Sequence, residues 1–263
     1  MKKYSKQNWE VPEYKFFEFR KKKTKYCICI PIINEGEKFK KQLKAMKKYS
    51  TLADILILDG GSTDKSTEHN FLKSQNVRTL LVKTGPGGQA VQLKIGFYYA
   101  LEQGYEGIIT IDGNGKDDPK DIPNFIKKMD EGYDYIQGSR FIKGGKQVNT
   151  PLSRFFAINF IHSPLLSLSA GKRYTDTTNG FRAYSKKYLL NPKTQPFRKI
   201  FQTYDLLFYL TVRANRVGLK TLEIPVTRSY PGNGTPTKIH GIPALFRLLT
   251  ITIRVAAGYY SPR

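Results

Sequence analysis

Three short segments place oxygen-bearing side chains at spacings suited to a metal and a phosphorylated ligand. Asp112-Gly113-Asn114 sets two hard donors two residues apart, with Lys116, Asp117 and Asp118 close behind. Such groups suit Mg2+ or Mn2+ held jointly with a diphosphate, although they also describe an Asp-capped loop ahead of Pro119. Asp59-Gly60-Gly61-Ser62-Thr63-Asp64 adds two carboxylates around a sharp turn. Alone it reads more simply as a strand-to-helix turn with Ser62 or Asp64 as N-cap. Residues 84–90 are glycine-rich ahead of a helix. They lack the Lys-Ser/Thr pair of a P-loop and the glycine spacing of a dinucleotide fingerprint, so both readings are rejected. His69, His162 and His240 are too scattered to form a ligand set.

Short apolar runs at 26–32, 54–58, 78–82 and 107–111 have the length and composition of strands, and 54–58 reads as one buried on both faces of a parallel sheet. Helical patterns fall at 37–49, from 65 onward, and at 89–103. This alternation predicts an α/β fold with right-handed crossovers. In such sheets ligands bind beyond the carboxyl ends of the strands. Three of those ends carry Asn34/Glu35, Asp59/Asp64 and Asp112/Asn114, so acidic and amide groups should share one edge. Cys27 and Cys29 lie two apart in the first run, on one strand face, and read as reduced core residues of a cytosolic protein.

The 263 residues carry 44 Lys and Arg against 21 Asp and Glu, a formal charge of +23. Enough of the chain is apolar to rule out full disorder, and the charge calls for an anionic partner: nucleic acid, an anionic membrane face or a phosphorylated substrate. Residues 1–24 form a basic, aromatic arm, either solvated or docked on a membrane surface. Residues 239–263 form an amphipathic helical extension in which Arg247 and Arg254 forbid a membrane span. It should lie on the protein or on a membrane, with packing on the protein slightly favoured. Residues 25–238, which hold the segments above, make the main unit between these ends.

Taken together, the motifs resemble glycosyltransferase family 2, most closely its branch of dolichyl- and polyprenyl-phosphate hexose synthases. The resemblance runs from about residue 25 to 238. It is carried by Pro31-Ile-Ile-Asn34-Glu35, by Asp59 to Asp64 with Gly60 replacing a second Asp, by Gly85 to Ala90, and by Asp112 to Pro123. Gly138-Ser-Arg140-Phe141, Asp176-Thr-Thr-Asn-Gly-Phe-Arg182 and Glu223-Ile-Pro-Val-Thr-Arg228 complete the order. It implies a glycosyltransferase A-type, Rossmann-like fold, with a mixed, mostly parallel sheet flanked by helices. It also implies inverting transfer of a hexose from a nucleotide-diphosphate sugar to a polyprenyl phosphate, at the cytoplasmic inner face of a membrane. Transfer to a sugar hydroxyl is the alternative within the class.

The same resemblance distributes roles. Pro31, Asn34, Glu35, Asp59, Gly88, Asp112, Gly113 and Asn114 would bind the nucleotide sugar, and Asp112 and Asn114 would hold Mg2+ or Mn2+. Catalysis would fall to Asp112, Asp176, Arg140, Arg182 and Arg228. Arg140, Arg228 and Lys238 would take the acceptor phosphate, since arginine forks suit a phosphate that is already ionised. Asp176 would be the base for a hydroxyl acceptor, with Asp205 behind it. Arg154 and Arg173 read as solvated or ion-paired surface residues, and the Gly/Pro-rich loop 229–237 as a lid. Two departures stand out: Asn114 occupies the position of the motif's second Asp, and Lys116 that of a frequent metal-binding Gln. Both weaken divalent binding, and Lys116 could replace part of the metal's charge. Anionic membrane contact and a recruiting membrane protein are the further partners expected. A nucleic-acid module is disfavoured because no reading motif is present.

Overall fold

The computed structural model describes residues 9–231 and 241–262, with the backbone alone at 241 and 242. Eight strands form one sheet: β1 (Tyr14–Glu18), β2 (Tyr26–Ile32), β3 (Asp54–Asp59), β4 (Val77–Lys83), β5 (Gly107–Thr110), β6 (Tyr135–Ser139), β8 (Arg182–Ser185) and β9 (Thr221–Pro225). β7 (Lys146–Val148) and β10 (Thr227–Ser229) make a separate parallel pair. The sheet order is β1-β4-β3-β2-β5-β8-β6-β9. β1 and β8 run antiparallel to their neighbours and every other pairing is parallel.

β2 and β3 are buried along their whole length, as strands covered on both faces must be. Their residues alternate between two cores. Cys27, Cys29, Leu56 and Leu58 face α3 (Gln89–Glu102) and α8 (Asp205–Arg216). Ile28, Ile30, Ile55 and Ile57 face Phe39 and Leu43 of α1 (Gly36–Met46) and Phe125 of α4 (Ile122–Asp130). Both cysteines are free and buried on one face. α3 is apolar around nearly its whole circumference because it is enclosed by the sheet on one side and α8 on the other.

The second half adds a helical layer. α5 (Leu152–Phe156) continues through a π-helical turn at residues 157–162 into α6 (Ser163–Ala170), and α9 (Gly241–Ala256) packs on α6 and α8. α9 buries Ile251, Thr252 and Val255 while Leu245, Phe246 and Ile253 stay exposed. Among the described residues, no helix is long and apolar enough to cross a membrane.

Two expectations met different outcomes in detail. The N-terminal segment is tied to the body: β1 pairs with β4 and Trp9 stacks on Phe197 at 4.2 Å, so the sheet crosses the 24/25 boundary. The helix expected from residue 65 begins later, as α2 (His69–Ser74). Lys65 has φ +59°, a left-handed conformation that no helix continues through.

Candidate active site

β2, β3 and β5 are adjacent and parallel, so their carboxyl ends share one sheet edge. There the turn after β3 is laced to the turn after β2. Asp59 accepts from Ser62 N at 3.0 Å and Ser62 Oγ at 2.6 Å. Ser62 Oγ accepts from Asn34 N at 3.0 Å, and Asn34 Oδ1 accepts from Thr63 N at 2.8 Å. Asp64 Oδ2 accepts from Gly36 N at 2.8 Å. Gln92 fastens the strand ends beneath, donating to Ile32 O and Leu58 O. Asp59 thus caps its turn and keeps Asn34 and Glu35 at the edge; its carboxylate is buried rather than presented.

One strand over, Asp112 opens into a cavity of about 640 Å3. Gln89 Nε2 donates to Asp112 Oδ1 at 3.0 Å, and Arg228 Nη2 lies 3.4 Å from Oδ2. Gln42 of α1 fixes the loop, donating to Asp112 O and accepting from Gly115 N. Gly113 is packed so tightly that a Cβ would sit 2.3 Å from Ile32 Cγ2 and 3.2 Å from Pro31 O. Asn114 Oδ1 accepts from Lys116 N at 3.2 Å and retains a second lone pair.

Cations from separate elements meet at the same cavity. Arg228 reaches across from β10 and grips Asp117 with Nη1. Burial works against its charge, but Asp117 and Asp112 hold its pKa well above the ordinary value. Arg140, just after β6, makes a two-pronged ion pair with Asp176, at 2.6 Å (Nε–Oδ2) and 3.1 Å (Nη2–Oδ1). Both partners are buried, at 3% and 0% exposure. Glu223 anchors this loop by accepting from Thr175 N. Arg154 of α5 lines the cavity too, with its guanidinium 5.6 Å from the Tyr230 ring centroid. Lys116 Nζ lies 5.2 Å from that centroid, and burial followed by Arg228 lowers its pKa.

Asp112, Arg140 and Arg228 therefore converge, with Asp176 directly behind Arg140. Pro31, Asn34, Glu35 and Asp59 occupy the neighbouring strand ends outside the cavity lining. Gly88 N donates to Gln202 O at the start of α3. Arg182 is elsewhere. It is fully buried and donates to Asn179 O, Leu207 O, Thr177 O and Thr211 Oγ1, so it braces the 177–179 loop and is not part of the cavity lining. Asp205 accepts from Gln202 N, Thr203 N and Leu206 N and closes the start of α8. Arg173 is exposed. Lys238, His240 and most of the expected lid lie outside the described residues. Gln42, Gln89, Arg154 and Tyr230 were not assigned to the site from sequence, and Asp117 was read only as an acid close behind Asp112 and Asn114. Their only signal is position, an amide facing a strand end or a cation entering from a distant element, and spacing along the chain does not reveal that.

The cavity is lined by polar and charged groups, among them Gln89, Asp112, Arg140 and Arg228, and by apolar side chains of the helical layer, Ile158, Ile161, Phe208, Leu248 and Leu249. A mixed, mostly parallel sheet flanked by helices, with a carboxylate at a strand end beside clustered cations, fits the glycosyltransferase A-type fold, and known proteins share that fold. The family model for glycosyl transferase family 2 matches residues 27–191, so the chain belongs to that family and is a glycosyltransferase. It is 29% identical to the undecaprenyl-phosphate mannosyltransferase of Micrococcus luteus over 203 residues, covering 75% of this chain and 81% of the relative. It is 25% identical to the polyprenol monophosphomannose synthase of Mycolicibacterium smegmatis, covering 76% of each. Glucosyl-3-phosphoglycerate synthase from Mycobacterium tuberculosis, solved with Mn2+, uridine diphosphate and glucosyl-3-phosphoglycerate, shares the fold. Its TM-score is 0.63 at 15% identity, covering 90% of this chain and 81% of that one.

Proposed function

We propose that this protein moves a hexose from a nucleotide-diphosphate sugar to a polyprenyl phosphate, with inversion, at the cytoplasmic face of a membrane. The observation that carries the reading is one cavity lined both by clustered cations and by apolar side chains. A phosphate bearing an isoprenoid tail has the same division of chemistry: an ionised head for Arg140, Arg154 and Arg228, and a tail for the apolar wall. The acceptor oxygen attacks the anomeric carbon as the bond to the diphosphate breaks, and the nucleoside diphosphate leaves. No proton needs removal, which suits a site whose candidate base, Asp176, is occupied by Arg140. The nucleotide would lie over the ends of β2 and β3, near Pro31, Asn34, Glu35, Asp59 and Gly88, with its diphosphate at Asp112 and Gly113.

The donor atoms fit a divalent ion shared with substrate. Asp112 and Asn114 offer two hard oxygen groups on one loop, and no cluster of three His, Cys, Asp or Glu exists among the described residues. A diphosphate would have to complete the coordination. Bound there, Mg2+ or Mn2+ would stabilise charge developing on the leaving group. Lys116 and Arg228 add fixed positive charge beside it.

Peripheral membrane contact is supported by the cavity's walls. Leu245 and Phe246 line the cavity yet remain 57% and 63% exposed, and Leu152, Phe156 and Phe160 are exposed along the neighbouring helix. From residue 135 onward the chain has twenty Lys and Arg but only Asp176, Asp205 and Glu223 as acids. None of these three is exposed. A membrane protein that recruits the chain would meet the same surface.

The test is transfer of labelled hexose from a panel of nucleotide sugars, with Mn2+, to farnesyl phosphate, farnesol or a free sugar. Label in the lipid product with the phosphate alone is expected. Equal or better transfer to a hydroxyl acceptor would overturn the reading.

A further inference from the structure

We propose that Tyr230 is the positioning residue of the acceptor-phosphate site, holding Lys116, Arg140, Arg154 and Arg228 in one preset cradle. The inference rests on the reading above that the acceptor is a phosphate. The four cations enter from the loop after β5, the loop after β6, α5 and β10. All reach a single ring: from its centroid, Lys116 Nζ is 5.2 Å away, and the guanidinium carbons of Arg154, Arg228 and Arg140 are 5.6, 5.9 and 6.0 Å away. The phenol oxygen accepts from Arg140 Nη1 at 3.0 Å.

The ring cannot easily leave this place. It is 3% exposed, Tyr230 N donates to Val148 O at 2.9 Å, and Asn149 Nδ2 donates to Tyr230 O. Moving it would disturb the chain that follows the β7–β10 pair.

Cations so close together repel one another. Asp176 offsets Arg140, while Asp112 and Asp117 offset Arg228. A further carboxylate at 230 would relieve the remaining repulsion but would also repel an anionic acceptor. An aromatic face attracts cations through its quadrupole without carrying a net charge. A tyrosine therefore spaces the cluster while leaving it positive towards the cavity, which Arg140, Arg154, Arg228 and Tyr230 all line. Donors fixed before the phosphate arrives spend less ordering entropy on binding. The cluster's field also reaches the phenol: burial acts to raise its pKa, but Arg228, Arg140 and Arg154 lower it to about 8.

The experiment compares wild type, Tyr230→Phe and Tyr230→Leu in the full chain. It measures KM for farnesyl phosphate, KM for the sugar donor, kcat, and equilibrium binding of farnesyl phosphate and of farnesol. Phe keeps the ring and loses the hydrogen bond, so acceptor KM should rise about tenfold. Leu loses the ring as well, for a rise on the order of 100-fold. Donor KM should stay within about twofold of wild type, and the weak binding of farnesol should not change. A Phe variant with wild-type acceptor KM, or donor and acceptor KM rising in step, overturns the inference even if the Leu variant fails to fold. A wild type that binds farnesol as well as farnesyl phosphate removes the acceptor assignment itself, a different failure from that of Tyr230.

Discussion

Gly180 stands against Asp112 so closely that a Cβ on it would fall 2.6 Å from Asp112 Oδ1. No backbone reason demands glycine there, because its φ lies outside the left-handed range. The contact is with the carboxylate itself, which Gln89 and Arg228 hold from its other sides. An added methyl must turn Asp112 away from the cavity. Gly180→Ala is expected to lower kcat/KM on the order of 100-fold while Tm stays close to wild type. Steady-state kinetics alongside thermal melting would check it; a variant with unchanged kinetics would show that the Asp112 orientation does not matter.

Asp176 and Arg140 form a buried pair, and a general base needs access that Asp176 lacks. Asp176→Asn should therefore act mainly on stability. Removing one partner of such a pair costs about 3–5 kcal/mol. Chemical denaturation should show that loss, and Arg140→Met added to Asp176→Asn should recover part of it. A variant of wild-type stability whose kcat alone collapses would instead identify Asp176 as the base for a hydroxyl acceptor.

Most of the central sheet was legible because its signal is local. β2 and β3 are continuous apolar runs, and each ends at a polar turn with glycine. β1 was not, because Tyr14–Glu18 mixes charges with aromatics in the way an edge strand does, and only its pairing with β4 defines it. At the site, Asp112 and Asn114 could be read because the strand delivers them directly. Arg182 could not be placed, since an arginine that braces carbonyls inside the protein and one that grips a phosphate have the same letter in the same motif. Arg154 failed in the opposite sense: a lone cation on a short helix looks like surface until the helix is seen to wall a cavity.

Asn114 bears on metal affinity in a way that can be reversed. A neutral amide is a weaker ligand than a carboxylate, and Lys116 lies two residues on. Asn114→Asp should lower the Mn2+ concentration that half-saturates nucleoside-diphosphate binding by about tenfold. Calorimetric titration of the metal with nucleotide present measures this without turnover. Asp112→Asn should shift it the other way, and removing metal with a chelator should weaken nucleotide binding less in wild type than in Asn114→Asp.

His162 links the helical layer to α9. Its Nδ1 lies 2.7 Å from Thr252 Oγ1, and burial pushes its pKa down to about 4. The unfolded chain takes up this proton near pH 6.5 and the folded chain only near 4. Its contribution to stability is thus complete above about 6.5 and is lost as pH falls towards 4, by about 3 kcal/mol. Denaturation measured from pH 7 to 4 should show a steeper decline in wild type than in His162→Gln. Parallel curves would mean that the imidazole accepts a proton inside the fold without cost.

Phe156 and Phe160 stack on one another at 5.7 Å on the outer side of the helix whose inner side walls the cavity, and both stay exposed, at 56% and 68%. Solvent-exposed phenylalanines on the half of the chain with twenty Lys and Arg and three acids match what an anionic bilayer would bind: rings at the headgroup level and cations above it. Phe156→Ser with Phe160→Ser should reduce sedimentation with vesicles containing anionic lipid by on the order of tenfold, since two rings lose their burial. Tm should hold or rise slightly, because exposed rings contribute little to folding. Activity on water-dispersed farnesyl phosphate should be retained, while activity on a long-chain polyprenyl phosphate embedded in vesicles should fall. Wild-type binding to the same vesicles by the double variant would move the membrane contact elsewhere on the chain. Equal binding to purely zwitterionic vesicles would show that the basic surface takes no part in it.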